Sequence, residues 1–230
     1  MKELMTLLLM STVVLAQAQQ FLGKINNFVL ESAEVVIFPF GLDNPVKIGT
    51  VDKTGNVTID LDAADISKIP ADTKDLFLGR VAENFFANCD NPDGLQISDD
   101  IKALKCGMPA LWFNNQWAGT FFLVSDEKLQ PWIEDRYFME PVNASFFEIL
   151  YVDRDLSLTT NCTTTYNLAK ENVELVNNFN LKLKKGFNLI QYKIDEIHKT
   201  DPNETSSIPS KIQITNSTDD KEIKWMIKYF

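Results

Sequence analysis

The chain contains a single histidine, His198, and this residue decides whether the sequence encodes a histidine-dependent hydrolase. Serine and cysteine hydrolases need a histidine base that is held by a carboxylate and that touches the nucleophile. No Gly-x-Ser-x-Gly motif is present to form a nucleophile elbow. Because His198 also leads into a polar turn at 199–203, we interpret it as a loop residue without a catalytic role.

Paired carboxylates are the second possible source of chemistry, because the chain has 32 Asp and Glu residues. A glycoside hydrolase needs two carboxyl groups at a defined separation in a cleft, one of them with a raised pKa. Glu148, Asp153 and Asp155 are the best candidates, but Asp153-Arg154-Asp155 is more typical of a strand-end turn with a salt bridge. We therefore predict a non-catalytic protein, with an exported hydrolase acting on a glycan or peptide as the alternative.

Metal and cofactor sites have little support in the sequence. The acidic, turn-rich segment 90–100 offers oxygen ligands, but Asp90, Asp93 and Gly94 do not fit the spacing of a calcium-binding EF-hand loop. Zinc binding is disfavoured by the single histidine and the absence of a C-x-x-C motif. No glycine-rich phosphate loop is present either. We predict no metal and no cofactor.

The three cysteines are Cys89, Cys106 and Cys162. In an oxidising compartment we expect one disulfide and one remaining thiol. Three pairings are possible, and the sequence alone does not choose among them. We favour a Cys89–Cys106 disulfide, because these two residues are nearest in sequence and flank a turn-rich loop. Cys162 is then expected to be reduced or buried.

Four tryptophans could form a contact surface or fill a core. Trp225 alternates with Ile223 and Ile227, which predicts a core position. Trp112 and Trp117 flank a predicted turn, and the face of Trp117 is undecided. Trp132 lies in a polar segment, so we predict that Trp132 is exposed and contacts an unknown protein or glycan partner.

The N-terminus predicts export. Met1-Lys2-Glu3 precedes an apolar run over Leu4–Ala16, and Ala16-Gln17-Ala18 fits the small-x-small pattern of a signal-peptidase site. We therefore predict a signal peptide over residues 1–18 and a secreted or periplasmic protein with no transmembrane segment after cleavage. The net charge of −10 and the lack of a basic stripe disfavour nucleic-acid binding.

Alternation of apolar and polar residues predicts that most of the chain forms β-strands, and that these strands hold the candidate residues named above. Asn114-Asn115 is predicted to be the tight turn between two strands, and Lys185-Gly186 to be the turn of a β-hairpin. The chain is predicted to end within a strand that closes the fold. The predicted strands are 21–25, 32–40, 46–52, 57–61, 109–114, 116–125, 145–153, 154–160, 178–184, 186–196, 210–215 and 222–230.

Two segments carry a family resemblance. The order of strands and turns in the first, including Ile48-Gly49-Thr50-Val51-Asp52 and Gly55-Asn56-Val57-Thr58, resembles transthyretin-like or carboxypeptidase-regulatory-like modules of secreted Bacteroidota proteins. Such modules are structural or binding units. From Tyr151 onward, the motifs Tyr151-Val152-Asp153-Arg154-Asp155 and Leu183-Lys184-Lys185-Gly186-Phe187 and the terminal Lys224-Trp225 resemble uncharacterised secreted Bacteroidota proteins. That resemblance implies no activity and no site residues.

The fold class predicted from these observations is all-β, with an antiparallel β-sandwich architecture and few short helices. The chain after residue 18 could form one large domain or two small ones. We predict two small β-domains in tandem: a transthyretin-like module over residues 19–75 and a β-sandwich domain over residues 76–230.

Overall fold

The computed structural model describes residues 19–90, 100–136, 139–167, 171–199, 207–217 and 221–230. The predicted signal peptide over 1–18, with its cleavage site, and most of the acidic loop (91–99) lie outside the described residues. The strands are β1 (Gln20–Lys24), β2 (Ala33–Ile37), β3 (Val46–Val51), β4 (Asn56–Asp60), β5 (Gly79–Arg80), β6 (Lys102–Gly107), β7 (Ala110–Phe113), β8 (Gln116–Val124), β9 (Ser145–Val152), β10 (Leu156–Asn167), β11 (Asn172–Leu183), β12 (Gly186–His198), β13 (Ile208–Asn216) and β14 (Lys224–Tyr229).

The predicted all-β class is confirmed, because the strands form one continuous, open sheet. Its order is β1-β4-β3-β2-β7-β8-β9-β12-β13-β11-β10, with β14 paired to β8, and β6 to β5 and β9. The described strand pairs are antiparallel except β11 and β13, which run parallel. β2 precedes the predicted domain boundary at residue 75 and β7 follows it, and the two strands pair with each other. The division into two domains stays a prediction.

The sheet folds around two hydrophobic cores that share β8 and β9. Phe121 and Phe147 point into the first core, with the inward side chains of β1–β4. Phe122 and Phe146, their sequence neighbours, point into the second core, with residues of β10–β13. Burial on both faces explains the continuous apolar runs Phe121–Val124 in β8 and Ile149–Val152 in β9, where an alternating pattern would otherwise be expected.

In the described part of the chain, three short α-helices lie outside the sheet: α1 (Ala71–Phe77), α2 (Val81–Phe85) and α3 (Gln130–Glu134). Pro131 lies in the first turn of α3, where its missing N–H costs no helical hydrogen bond. Among the described residues, none of the helices has the length and apolar character needed to cross a membrane.

The turn between β3 and β4 is held by the carboxylate of Asp52. This group accepts hydrogen bonds from the backbone N–H of Thr54 at 2.8 Å and of Asn56 at 3.0 Å, and from the Thr54 hydroxyl at 2.7 Å. These hydrogen bonds, led by that of the Thr54 side chain, hold the pKa of Asp52 well below its usual range. Gly55 has a φ of +82°, which explains the glycine in this turn.

The predicted hairpin at Lys185-Gly186 is wrong, although both of its strands are present. β11 and β12 are not paired with each other; β13 lies between them, parallel to β11 and antiparallel to β12. The two strands therefore diverge after a short connection. Asn188 stabilises that connection, since its Oδ1 accepts from the backbone N–H of Lys184 at 3.0 Å and its Nδ2 donates to the Lys184 carbonyl at 2.8 Å.

The predicted Cys89–Cys106 disulfide is also wrong. Cys89 is bonded to Cys162, with a Cα–Cα distance of 5.3 Å, and Cys106 is free. The cause is that Cys89 and Cys162 pack on the second core, whereas Cys106 packs on the first. Burial raises the pKa of the Cys106 thiol, which disfavours its reactive thiolate form.

Candidate functional site: an aromatic surface beside the β7–β8 turn

The prediction that Trp132 is an exposed contact residue is wrong. Trp132 lies in α3 with only 5% of its surface exposed. Its ring centroid is 6.0 Å from that of Phe146, and the Arg136 guanidinium lies 4.9 Å from the Trp132 ring centroid. The single helical turn directs the indole into the second core while its polar neighbours face outward. Trp225 is buried, as predicted, with 5% exposed.

A different set of aromatic side chains is exposed, and we call it the aromatic platform. Trp117 is 45% exposed and Phe230 is 72% exposed, and their ring centroids lie 5.1 Å apart. Phe38 connects Trp117 to Trp112, with centroid distances of 5.7 Å and 5.6 Å. The platform is therefore a continuous series of four rings.

A β-bulge and a tight turn place two of these rings together. A register shift between Leu111 and Trp112 brings Trp112 directly opposite Trp117 on the neighbouring strand. The two strands are joined at Asn114 and Asn115, which have φ angles of +50° and +60°. These angles are typical of a type I′ turn, and the predicted tight turn is confirmed.

The orientation of the central ring is fixed by a hydrogen bond. The indole N–H of Trp117 donates to the carbonyl of Gly119 at 2.8 Å. Gly119 is itself required at this position, since a Cβ would lie 2.6 Å from the carbonyl oxygen of Lys228 on β14. The indole N–H is thus satisfied internally, and the exposed part of the ring is available for apolar contact.

Uncharged amides border the platform. Asn114, Asn115 and Gln116 are exposed, and in the described part of the chain their side chains form no hydrogen bonds. Glu34, which lies opposite Trp112, forms an ion pair with Lys47 at 2.6 Å. Aromatic faces beside free amides can stack on the C–H groups of a sugar and hydrogen-bond its hydroxyls.

Each of the carboxylates considered for hydrolase chemistry has a partner within the protein. Asp153 accepts from the backbone N–H of Lys102 at 3.0 Å, and Asp155 from that of Lys185 at 2.8 Å, as expected for residues that stabilise turns. Glu148 lies on β9, where burial raises its pKa. Two cations, Arg136 and Lys105, oppose this rise, and the Arg136 guanidinium is 3.9 Å from the carboxylate.

His198 is the last residue of β12 rather than a loop residue. Its Nε2 lies 2.9 Å from a carboxylate oxygen of Glu171, and no Ser or Cys nucleophile is within hydrogen-bonding distance of the ring in the described structure. Within the described ranges, no group of three or more His, Cys, Asp or Glu side chains is arranged to hold a metal ion.

In comparisons with protein-family models, with curated proteins and with solved structures, nothing matches this chain. A functional assignment therefore depends on the geometry of its own surfaces. Sequence reasoning singled out Trp117 but not Phe38 or Phe230. The alternation that placed Trp225 in the core also placed Phe230 on the opposite face, and this was the available signal for its exposure.

Proposed function

We propose that the protein is an exported, non-catalytic binding protein that holds an uncharged saccharide against the aromatic platform. The observation that carries this proposal is the series of four rings joined by three contacts, in which Trp117 and the terminal ring of Phe230 are exposed. Rigid aromatic side chains provide contact area at a low cost in conformational entropy. The neutral amide border favours hydroxyl groups over charged partners.

Export is part of the proposal and is supported by two observations. The sequence of residues 1–18 has the pattern of a signal peptide. The Cys89–Cys162 disulfide is of a kind that persists in the periplasm or outside the cell. On this basis we also propose that the likeness to secreted Bacteroidota β-sandwich proteins, including their transthyretin-like module, reflects a common role in binding.

The experiment is a titration of the mature protein with four neutral hexasaccharides (cellohexaose, xylohexaose, mannohexaose and laminarihexaose). Binding is measured by tryptophan fluorescence and by calorimetry. We expect at least one to bind, and Trp117→Ala and Phe230→Ala each to raise its dissociation constant by about 2- to 10-fold, since an aromatic contact contributes about 0.5–1.5 kcal/mol. Tyr166→Ala removes an equally exposed ring outside the platform and serves as the matched control.

Thermal denaturation should show that all three variants stay folded. Trp117→Ala should lose about 1 kcal/mol, because it removes the hydrogen bond to the Gly119 carbonyl, and the other two should lose less. Binding that is unaffected by both platform variants, or absent with every hexasaccharide, would refute the proposal. Self-association that Trp117→Ala abolishes would instead identify the platform as a contact between two copies of the chain, and would also overturn it.

A further inference from the structure

A cleft of about 510 Å³ lies where β11 and β12 diverge around the end of β13, and none of its lining residues belongs to the aromatic platform. Strand β11 contributes Asn180 and Lys182, and Lys184 follows its last residue. Strand β13 contributes Thr215 and Asn216, and Phe21 of β1 forms part of the wall. The cleft exists because β13 separates two strands that the sequence predicts to be a hairpin.

The two lysines of the cleft have no anionic partner among the residues that the structure describes. Lys182 and Lys184 are exposed, and neither forms an ion pair in the described structure. Elsewhere lysines do pair with carboxylates, as Lys228 does with Glu134 at 2.6 Å and Lys211 with Glu196 at 3.1 Å. No carboxylate is among the described residues that line the cleft. In a chain of net charge −10, this is a locally cationic site.

The backbone that carries both lysines is held in place by asparagine side chains. Asn216 Oδ1 accepts the backbone N–H of Lys182, and Asn188 Oδ1 accepts that of Lys184 at 3.0 Å. Asn188 is 1% exposed, so this support is buried and ordered. Lys182 and Lys184 are two residues apart, so their side chains leave the extended chain in the same direction while Leu183, 3% exposed, points into the second core.

The other polar side chains of the cleft can form hydrogen bonds with the hydroxyl groups of a ligand. The Nδ2 of Asn216 is still able to donate once its Oδ1 has accepted, and Asn180 lies opposite Thr215 in the parallel β11–β13 pair. Among the described lining residues there is no arginine and no glycine-rich turn, although these are the groups that usually surround a phosphate. The volume falls within the range of about 300–1,000 Å³ that is typical of small-molecule sites.

We propose that this cleft binds a carboxylated saccharide of the uronate class. Lys182 and Lys184 bind its carboxylate, and Asn180, Thr215 and Asn216 bind its hydroxyls. The site goes beyond the proposed function, since it recognises an acidic sugar at a different place from the platform and does not depend on Trp117 or Phe230.

The probe is digalacturonic acid, titrated calorimetrically into the mature protein at low salt. We expect a measurable dissociation constant, weaker binding as salt is added, and no binding of the neutral counterpart galactobiose. Lys182→Gln and Lys184→Gln should each raise the dissociation constant about tenfold, as expected for the loss of a charge-assisted hydrogen bond. Lys185→Gln is the matched control, because Lys185 is adjacent and exposed but does not line the cleft.

Several outcomes would overturn the proposal. The first is that digalacturonic acid does not bind at millimolar concentration. The second is that Lys185→Gln weakens its binding as much as Lys182→Gln and Lys184→Gln do, and the third is that galactobiose binds with the same affinity as digalacturonic acid. Tighter binding of inorganic phosphate would show that the site is a general anion site and would also refute the saccharide assignment. Trp117→Ala should leave digalacturonate binding unchanged. The failure of the cleft proposal can therefore be distinguished from the failure of the platform proposal.

Discussion

Removing the Cys89–Cys162 disulfide should lower the free energy of unfolding by about 4 kcal/mol. The cysteines are 73 residues apart, and the chain-entropy relation for a loop of this length gives about 4 kcal/mol at 25 °C. This is a large fraction of the roughly 5–15 kcal/mol that stabilises a typical domain. The appropriate variant is Cys89→Ala/Cys162→Ala, because Cys162 is only 3% exposed and alanine leaves no buried hydroxyl.

The assay is equilibrium urea unfolding of the double variant, the wild type and Cys106→Ala. Cys106 is the matched control, since its thiol is free and packs on the other core. We expect the control to lose much less stability than the double variant. Peptide mapping without reduction should show Cys89 linked to Cys162 in the wild type and in the control.

Two results would contradict this reasoning. A peptide that links Cys89 to Cys106 would show that the pairing is different. A double variant that loses less than about 1 kcal/mol, with an unchanged denaturant dependence, would show that closing this loop does not restrict the unfolded chain as the relation assumes.

Three further predictions concern single residues. Gly23→Ala places a Cβ 2.2 Å from the Trp225 indole, so thermal unfolding should show a loss of about 1–3 kcal/mol; a neutral result would refute this contact. Because burial raises the pKa of Glu148, its contribution to stability is present at low pH and is lost as pH rises through that pKa, so Glu148→Gln should gain stability relative to wild type between pH 4 and pH 8. Asp52 has a lowered pKa, so its contribution to stability is fully present above the unfolded-state pKa and declines as pH falls from there toward the lowered pKa. Asp52→Asn should therefore lower the melting temperature more at pH 7 than near pH 2, and an equal loss at both would contradict it.

Local pattern was sufficient to predict most of the strands. The alternation around Ile223, Trp225 and Ile227 predicts both the last strand and its buried face, and the structure confirms both. Asn114-Asn115 predicts its turn because the backbone conformation of that turn is a local property. The pairing of β11 with β13 could not be predicted in this way, because β13 is distant in sequence from the turn at Lys185-Gly186. Strand β13 forms the backbone hydrogen bonds with β11 and β12 that these two strands would form with each other in a hairpin.

The candidate site was harder to predict than the fold. Trp132 lies in a helix of five residues, which is too short to show a periodic apolar face, and its polar neighbours resemble those of a loop. Phe38 and Phe230 are distant in sequence and meet only through Trp117. Cys89 is nearer to Cys106 in sequence and nearer to Cys162 in space, since the two faces of one sheet separate the first pair.

The sharing of β8 and β9 between the two cores has a consequence for cooperativity. A strand that belongs to one core can detach while the other core persists, but loss of β8 or β9 opens both cores at once, since Phe121 and Phe122 are removed together. The backbone amides of these two strands should therefore exchange with solvent only when the whole molecule unfolds. Edge strands such as β1 and β10 can open by local fluctuations. Protection against deuterium exchange should therefore be highest in β8 and β9 and should decrease toward the two edges of the sheet.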